Sequence, residues 1–267
     1  MEIIKDLVYV DYRDNIIVDK NNSILAFKAN RDRFTTSRQK EYAGLPQIGS
    51  KRSEDAITWN YFRSMQKKND FKSFSNLIGY NIENPEILLW TLSFTESADE
   101  LQYICGKKIR TIDGIYKGQV TEPDVIIKTK THLFIIECKL GVKDEYPNHL
   151  WSCDPLSKGP ELRKPIYFEN NLFIGDSGYN SSSYQLYRMA YYADSIATEL
   201  CVKPVLISLT NKTWWTRTRY EISPADIWND FEKQINKDRL EIKNVFWQDI
   251  KENGSLNEYL LNHPCLF

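Results

Sequence analysis

An apolar strand that ends in two charged side chains is the feature that most constrains this chain. Residues 133–140 read Leu-Phe-Ile-Ile-Glu-Cys-Lys-Leu. Strand side chains alternate between two faces, so Glu137 and Lys139 share one face. Because the run is apolar on both faces, it predicts a buried strand. Charges at the end of such a strand are costly unless a partner neutralises them.

A second strand is expected to pair with this one in a hairpin. Residues 125–130 are rich in β-formers and begin after Pro123, where a missing N–H costs least, and residues 131–132 supply the turn. This pairing brings Asp124 beside the charged end of the first strand. Two carboxylates and a lysine are then expected to converge in one small space.

Such a cluster can serve either as a metal site or as a set of mutual ion pairs. Carboxylates, waters and phosphate oxygens are the ligands that Mg²⁺ and Mn²⁺ prefer. A metal held in this way lowers the pKa of a bound water and stabilises charge on a phosphate. Alternatively, Asp–Lys and Glu–Lys pairs on a surface hairpin satisfy one another without a metal. Geometry alone leaves both interpretations open.

The pattern Pro123-Asp124, a gap, then Glu137-Cys138-Lys139 on an apolar strand resembles the PD-(D/E)XK nuclease superfamily. The resemblance implies a divalent-metal-dependent nuclease that hydrolyses phosphodiester bonds, with DNA as the first candidate substrate and Mg²⁺ or Mn²⁺ as cofactor. Asp124 and Glu137, with the Cys138 carbonyl, would hold the metal. Lys139 would position or activate the attacking water.

A helix predicted to begin at Ser53 carries a further acidic candidate. Ser53 is a suitable N-cap, and Glu54 and Asp55 fall in the first turn, where acids stabilise a helix through its dipole. Many members of the superfamily carry a Glu on the first core helix that points at the metal. The resemblance therefore implies a catalytic role for Glu54, chosen over Asp55.

Local charge indicates a nucleic-acid partner more than net charge does. The chain has a net charge of −1, but residues 28–72 hold eleven Lys or Arg against five acids, a net of +6. Lys51 and Arg52 are therefore candidate phosphate contacts, although such a stretch can equally be a solvated face. Trp214 and Trp215 could stack on bases, but core packing is the favoured interpretation.

A second core helix is predicted over residues 183–197. Gln185 and Arg188 lie one turn apart near its start, where N-terminal N–H groups favour phosphate. RecB-type nucleases place a Gln here, followed four residues later by Tyr. Met189 holds that fourth place, so the resemblance is partial. Gln185 is a candidate catalytic residue or an ordinary polar helix residue, and Arg188 a candidate nucleic-acid contact.

The predicted fold class is α/β with a restriction-endonuclease-like core, in the order helix, three strands, helix, strand, around a mixed central sheet. Residues 108–116 are expected to supply its first strand and residues 203–210 its last. N-terminal antiparallel strands are expected over residues 7–12, 16–19 and 24–28, and a helical extension is expected at the C-terminus.

One domain is expected to span residues 1–267. Its parts are an N-terminal strand and basic segment, a core with an irregular Pro- and Gly-rich insertion, and a C-terminal extension, over residues 1–49, 50–222 (insertion 141–182) and 223–267. At 42% hydrophobic and 27% charged residues the chain matches a soluble globular protein.

Location and partners follow from what the sequence lacks. It shows no signal peptide and no apolar run of membrane-spanning length, and its five scattered cysteines favour a reducing cytosol over disulfides, zinc or an iron–sulfur cluster. We expect a cytoplasmic nuclease without membrane association, acting in phage defence or DNA repair. It would act as a homodimer or with a separate helicase- or methyltransferase-type partner. The alternatives are an RNA nuclease and a catalytically inactive nucleic-acid-binding or scaffold module of the same fold.

Overall fold

The protein has a mixed α/β fold in the computed structural model, which describes residues 1–35, 40–114, 122–141, 150–152, 159–218, 221–252 and 254–266. The α-helices are α1 (Ser23–Arg31), α2 (Glu54–Thr58), α3 (Ser64–Lys68), α4 (Lys72–Ile78), α5 (Asp99–Gly114), α6 (Gly159–Phe168), α7 (Tyr184–Glu199), α8 (Pro224–Gln234) and α9 (Ser255–Leu261). The strands are β1 (Ile3–Ile4), β2 (Val8–Tyr9), β3 (Glu86–Leu89), β4 (Leu92–Ser93), β5 (Val125–Lys128), β6 (His132–Cys138), β7 (Lys203–Thr210) and β8 (Glu241–Phe246).

The chain divides into two compact units. The first consists of residues 1–81 and 247–267, and the second of residues 82–246. The second unit holds a six-stranded sheet in the order β4-β3-β5-β6-β7-β8. The pairs on the β4 side of β6 are antiparallel, whereas β6, β7 and β8 are mutually parallel, so the expected mixed sheet is confirmed.

Two crossover connections build the parallel half of the sheet. Helix α7 packs on β6 and β7, and α8 lies between β7 and β8 in the chain. Residues 133–136 of β6 are completely buried, as expected for a strand that is apolar on both faces. Ser223 caps α8 in a capping box with Asp226, and Pro224 occupies its first turn. The helix predicted over residues 183–197, the strand predicted over residues 203–210 and the predicted C-terminal helices are therefore confirmed, but the C-terminal extension is not wholly helical, because β8 within it joins the sheet.

Helix α5 occupies residues 108–114 of the first core strand that the sequence predicts over residues 108–116, and residues 115 and 116 lie outside the described part of the chain. Leu101, Cys105, Ile109 and Ile112 are buried at intervals of four, four and three residues. The isoleucines that favour a strand thus belong to the buried face of a helix that begins nine residues earlier, and the strand prediction is wrong. Strand β3 takes that place in the sheet, so a helix separates the first strands from the β5–β6 hairpin.

The predicted insertion at 141–182 is less irregular than its Pro and Gly content indicates. It contains α6, a ten-residue helix with Pro165 inside it. Proline removes one helical hydrogen bond, but Tyr167 two positions later is completely buried and its packing offsets part of that cost. Residues 142–149 and 153–158 of the insertion lie outside the described part of the chain.

The N-terminal antiparallel strands are mostly absent from the first unit, which is described throughout this region up to residue 35. Only β1 and β2 pair, over two residues each, and residues 16–19 form no strand. Residues 24–28 belong to α1, because the Asn22 side chain caps the helix by accepting from the Ile24 N–H at 2.9 Å. The expected third strand is therefore wrong.

The helix predicted to begin at Ser53 is confirmed, as part of the first unit. Ser53 caps α2, with its Oγ accepting from the Ala56 N–H at 3.2 Å. The helix continues through a π-helical turn at Trp59–Arg63 into α3 and ends at Asn69, which has a left-handed backbone (φ 49°). The π turn adds about one residue to a helical turn. Residues before and after it therefore do not share a face at the usual spacing of three or four residues.

Candidate metal centre

The β5–β6 hairpin brings Asp124 to the end of β6. The register pairs Val125 with Ile136, which places Asp124 opposite Glu137 on the same face of the sheet. Asp124 Oδ2 accepts a hydrogen bond of 2.8 Å from the N–H of Cys138, in the peptide that follows Glu137. The expected convergence of these two acids is confirmed.

Lys139 completes the expected cluster. Its Nζ lies 2.8 Å from Glu137 Oε1, and the side chains of Lys139 and Glu137 are 14% and 5% exposed. The Lys139 N–H donates to the Leu209 carbonyl at 2.8 Å, so the backbone is fixed against β7. Glu137 and Lys139 therefore share one face as a largely buried ion pair, in which each charge offsets the desolvation of the other.

Glu137 Oε2 is an orphaned buried acceptor. This oxygen is inaccessible to solvent and accepts no hydrogen bond from the described residues. An unsatisfied buried acceptor is costly, and a charged one more so, unless a cation or a donor approaches it. The oxygen therefore fits a site that a divalent cation would complete.

The oxygen atoms at this site suit Mg²⁺, which keeps several waters, better than a metal ion that is ligated by protein side chains alone. No group of three or more His, Cys, Asp or Glu side chains with metal-ligating geometry occurs among the described residues. Mg²⁺ is commonly held by one or two carboxylates, with waters and substrate phosphates filling its other positions. Asp124, Glu137 and the Cys138 carbonyl are such a partial set.

Gln185 is brought to the same end of the sheet by a short relay. Its N–H donates to the Trp151 carbonyl at 3.0 Å, and the Trp151 indole N–H donates to Ser208 Oγ at 3.2 Å. Ser208 is the direct partner of Glu137 in the β6–β7 ladder. Gln185 Oε1 is, like Glu137 Oε2, buried and without a partner among the described residues. Its position supports a site role, which stays a prediction.

Sequence reasoning missed Ser208 and Trp151. Ser208 is completely buried, and its signal was a hydroxyl that follows Pro204 and Leu206 on the Glu137 face of β7. Trp151 carries no comparable signal, because its hydrogen bond joins positions 57 residues apart.

Arg188 does not lie where a phosphate contact requires. It is only 4% exposed, and its Nε donates to the Tyr192 hydroxyl at 2.8 Å. Its guanidinium also stacks near the rings of Tyr184 and Tyr192, at 5.6 and 5.8 Å from their centroids. The helical phase of α7 turns this residue inward, so the prediction of a nucleic-acid contact is wrong for this conformation.

The same aromatic environment suppresses ionisation around Arg188. Burial raises the pKa of the Tyr167 hydroxyl far above its usual value, with nearby tyrosines adding to the effect and Arg188 opposing it. Neutral tyrosines around a buried guanidinium form a structural cluster. They leave no exposed cation at this turn of α7.

The first unit holds the candidates on and before α2. Asp55 pairs with Lys28 Nζ at 3.1 Å, and Asp32 pairs with the same nitrogen at 3.1 Å. Burial disfavours the Lys28 charge, but the two carboxylates outweigh it and raise the pKa of Lys28. Asp55 thus has a structural partner; Glu54 is half-buried, and its functional role stays a prediction.

The two basic candidates before α2 are both partly exposed. Lys51 Nζ lies 5.7 Å from the centroid of the Tyr9 ring, and the Arg52 N–H donates to Ser50 Oγ at 3.2 Å. Neither position tests a nucleic-acid contact, which stays a prediction for both residues.

The tryptophan pair after β7 belongs to the core. Trp214 is 4% exposed, and Trp215 packs edge-on against Trp151 and Phe246 with centroid distances of 6.3 and 5.4 Å. The favoured interpretation of core packing is confirmed, and base stacking by Trp214 is excluded by its burial.

Comparison with protein-family models, with curated proteins and with solved structures gave no match for this chain. No helix among the described residues is both long enough and apolar enough to cross a membrane. The fold therefore defines the class as a mixed α/β protein with a six-stranded sheet, and the functional argument depends on the site alone.

Proposed function

We propose that the protein is a divalent-metal-dependent nuclease that hydrolyses phosphodiester bonds, with DNA as its substrate. The observation that carries the proposal is the buried, unsatisfied Glu137 Oε2, whose partner oxygen is held by Lys139 and whose strand neighbour is Asp124. Carboxylate oxygens with a lysine at a sheet edge are suited to phosphate chemistry.

The carboxylates supply the cation site. Asp124, Glu137 and the Cys138 carbonyl would hold Mg²⁺ or Mn²⁺. When bound, the ion would stabilise charge on the phosphate and lower the pKa of a bound water. The ladder between β5 and β6 fixes the two acids before the ion arrives, which limits the reorganisation needed for binding.

Lys139 orients the nucleophile. An ammonium group has three N–H donors, so the contact with Glu137 Oε1 at 2.8 Å uses only one of the donors with which Lys139 would orient a water or a phosphate oxygen. The hydrogen bond from its backbone N–H to Leu209 keeps the start of the side chain in place. The residue thus positions a water for in-line attack on the phosphate.

A non-catalytic module of the same fold is the second candidate, and one observation favours it. Lys139 satisfies one oxygen of Glu137, and the Cys138 N–H satisfies one oxygen of Asp124, as they would in a purely structural strand end. The orphaned Glu137 Oε2 is what this candidate leaves unexplained.

The test is cleavage of linear and circular DNA by the pure chain with Mg²⁺, Mn²⁺ or EDTA. Asp124→Asn removes one ligand charge, and Glu86→Gln is the matched control, because Glu86 pairs with Lys128 at the opposite end of β5. We expect metal-dependent cleavage that Asp124→Asn abolishes and Glu86→Gln retains. Calorimetry measures the Mn²⁺ affinity directly, without any need for catalysis. Equal Mn²⁺ affinity of Asp124→Asn and wild type would exclude Asp124 as a ligand.

A further inference from the structure

An exposed arginine is stacked on the buried Trp214 beyond the end of β7. The guanidinium carbon of Arg217 lies 4.9 Å from the centroid of the Trp214 ring. Arg217 is exposed, whereas Trp214 is 4% exposed, so the indole offers only part of its surface to the cation. A cation over an indole face is attracted by the ring quadrupole, which restricts the arginine to one side of the ring.

The stacking platform is fixed to the segment that follows Lys139. A Cβ added to Gly141 would lie 2.9 Å from three atoms of the Trp214 ring, so the glycine backbone rests directly against the indole. Asn211 Nδ2 also donates to the Leu140 carbonyl at 2.9 Å. These contacts hold Arg217 close to the chain that carries the candidate metal centre.

Arg217 has no acidic partner among the described residues, and in this it differs from Arg13, another arginine beside an aromatic ring. Arg13, near the Tyr12 ring at 6.0 Å, is held by Asp11 through hydrogen bonds of 2.7 to 3.0 Å. A guanidinium that stacks through its face keeps its N–H edge for another ligand, and that edge matches the geometry of a phosphate.

We propose that Arg217 binds a phosphate of the nucleic-acid strand beside the scissile bond. The inference deepens the proposed function and depends on it for the identity of the strand. Lys212, also exposed, precedes Arg217 by five residues, lies with its Nζ 5.6 Å from the Phe246 ring centroid and adds positive charge to this segment. A positive edge next to an acidic metal centre reduces the repulsion that a polyanion meets on approach.

The test is binding of a short DNA duplex to the full chain in EDTA, followed by fluorescence anisotropy over a salt series. We expect Arg217→Gln to raise the dissociation constant about tenfold at low salt and to reduce the slope of log K against log salt by about 1. Arg217→Lys keeps the charge and should retain the slope with weaker binding. Arg13→Gln is the matched control and should leave both quantities unchanged.

Binding and cleavage are read separately, so the two proposals can fail independently. If Arg217→Gln matches wild type in both dissociation constant and salt slope, or if wild type binds no duplex, the phosphate contact is overturned. If the Arg217 effect is present but wild type cleaves no DNA with Mg²⁺ or Mn²⁺, the contact stands and the nuclease proposal falls. Circular dichroism of each variant shows that the fold is retained.

Discussion

Ser208 lies directly across the parallel ladder from Glu137, and its hydroxyl oxygen accepts the indole N–H of Trp151 at 3.2 Å. Trp151 supplies the proton in that hydrogen bond, so the Ser208 hydroxyl keeps its own proton for an acceptor. Glu137 Oε2, on the neighbouring residue of the ladder, is an acceptor without a donor among the described residues. Ser208 thus joins Trp151 to the strand position directly opposite Glu137.

Ser208→Ala is expected to destabilise the protein by about 1–3 kcal/mol, because it leaves the buried Trp151 N–H unsatisfied. Urea denaturation measures the loss. Ser208→Thr keeps a hydroxyl and should recover part of it. In a Trp151→Phe background, where the donor is absent, Ser208→Ala should cost much less. Additive losses in that double-mutant cycle would show that the hydrogen bond contributes no stability.

Glu137→Gln is expected to cost more stability than Asp124→Asn. Loss of the Glu137 charge removes the carboxylate that lies 2.8 Å from the largely buried Lys139 ammonium, and breaking such a pair costs about 3–5 kcal/mol. Adding Lys139→Met to Glu137→Gln should restore stability without restoring cleavage. Denaturation and cleavage assays on the same samples measure both. Equal stability of the two single variants would contradict a tight ion pair.

Lys139→Ala is expected to lower the single-turnover rate by about 100-fold or more while changing the DNA dissociation constant little, because its contacts form in the transition state. Lys128→Ala is the matched control, since Lys128 pairs with Glu86 at the other end of the hairpin. Cleavage by Lys139→Ala at the wild-type rate with saturating DNA would refute the mechanism and favour the binding module.

Glu54→Gln and Asp55→Asn should separate function from stability on α2. Asp55 is one of two carboxylates on the buried Lys28, and Asp32 remains 3.1 Å from the same nitrogen, so Asp55→Asn is expected to lower the unfolding free energy by about 1–2 kcal/mol. Glu54→Gln is expected to lower turnover with a smaller loss of stability. Unfolding curves and single-turnover rates test both. Wild-type turnover in Glu54→Gln would remove Glu54 from the proposed site.

His263 should make the protein less stable in mild acid. Burial lowers its pKa to about 4, and the side chain is 4% exposed. Between pH 6.5 and about 4, His263 is protonated in the unfolded chain but neutral in the folded chain. The free energy of unfolding therefore falls as pH falls through that window. The full loss is about 3 kcal/mol.

His263→Asn is the variant that tests this pH dependence. Asn can replace the Nδ1 acceptor of the Cys265 N–H, a bond of 3.3 Å, but it does not titrate. Denaturation at several pH values should show a shallower slope between pH 6.5 and 4 in the variant. Identical slopes for the two proteins would assign the acid sensitivity to other groups.

Local sequence patterns predicted the parts of the fold that local physics decides. The β5–β6 hairpin, α7 and β7 follow from short runs whose period and burial agree. Strand and helix preferences conflicted at α5, where a helical stripe includes several β-branched residues. Whether such residues form a strand or a helix depends on the tertiary contacts around them, and these contacts cannot be read from a single sequence.

The site divides in the same way. Asp124, Glu137 and Lys139 are close because a hairpin register joins them, and a register can be read from the alternation of side chains. The Trp151–Ser208 bond connects distant positions and has no local pattern. Arg188 was misplaced because proximity to a helix start does not decide which face of the helix a residue occupies.

The contact between Gly141 and Trp214 also constrains how the sequence can change over time. Gly141 has a left-handed backbone (φ +64°), and even one methyl group there would meet the indole at 2.9 Å. A larger residue at 141 would need a smaller one at 214, would still carry left-handed backbone strain, and would remove the ring over which Arg217 lies. We therefore expect Gly141, Trp214 and Arg217 to be conserved together, although Gly141 lies far from the other two along the chain.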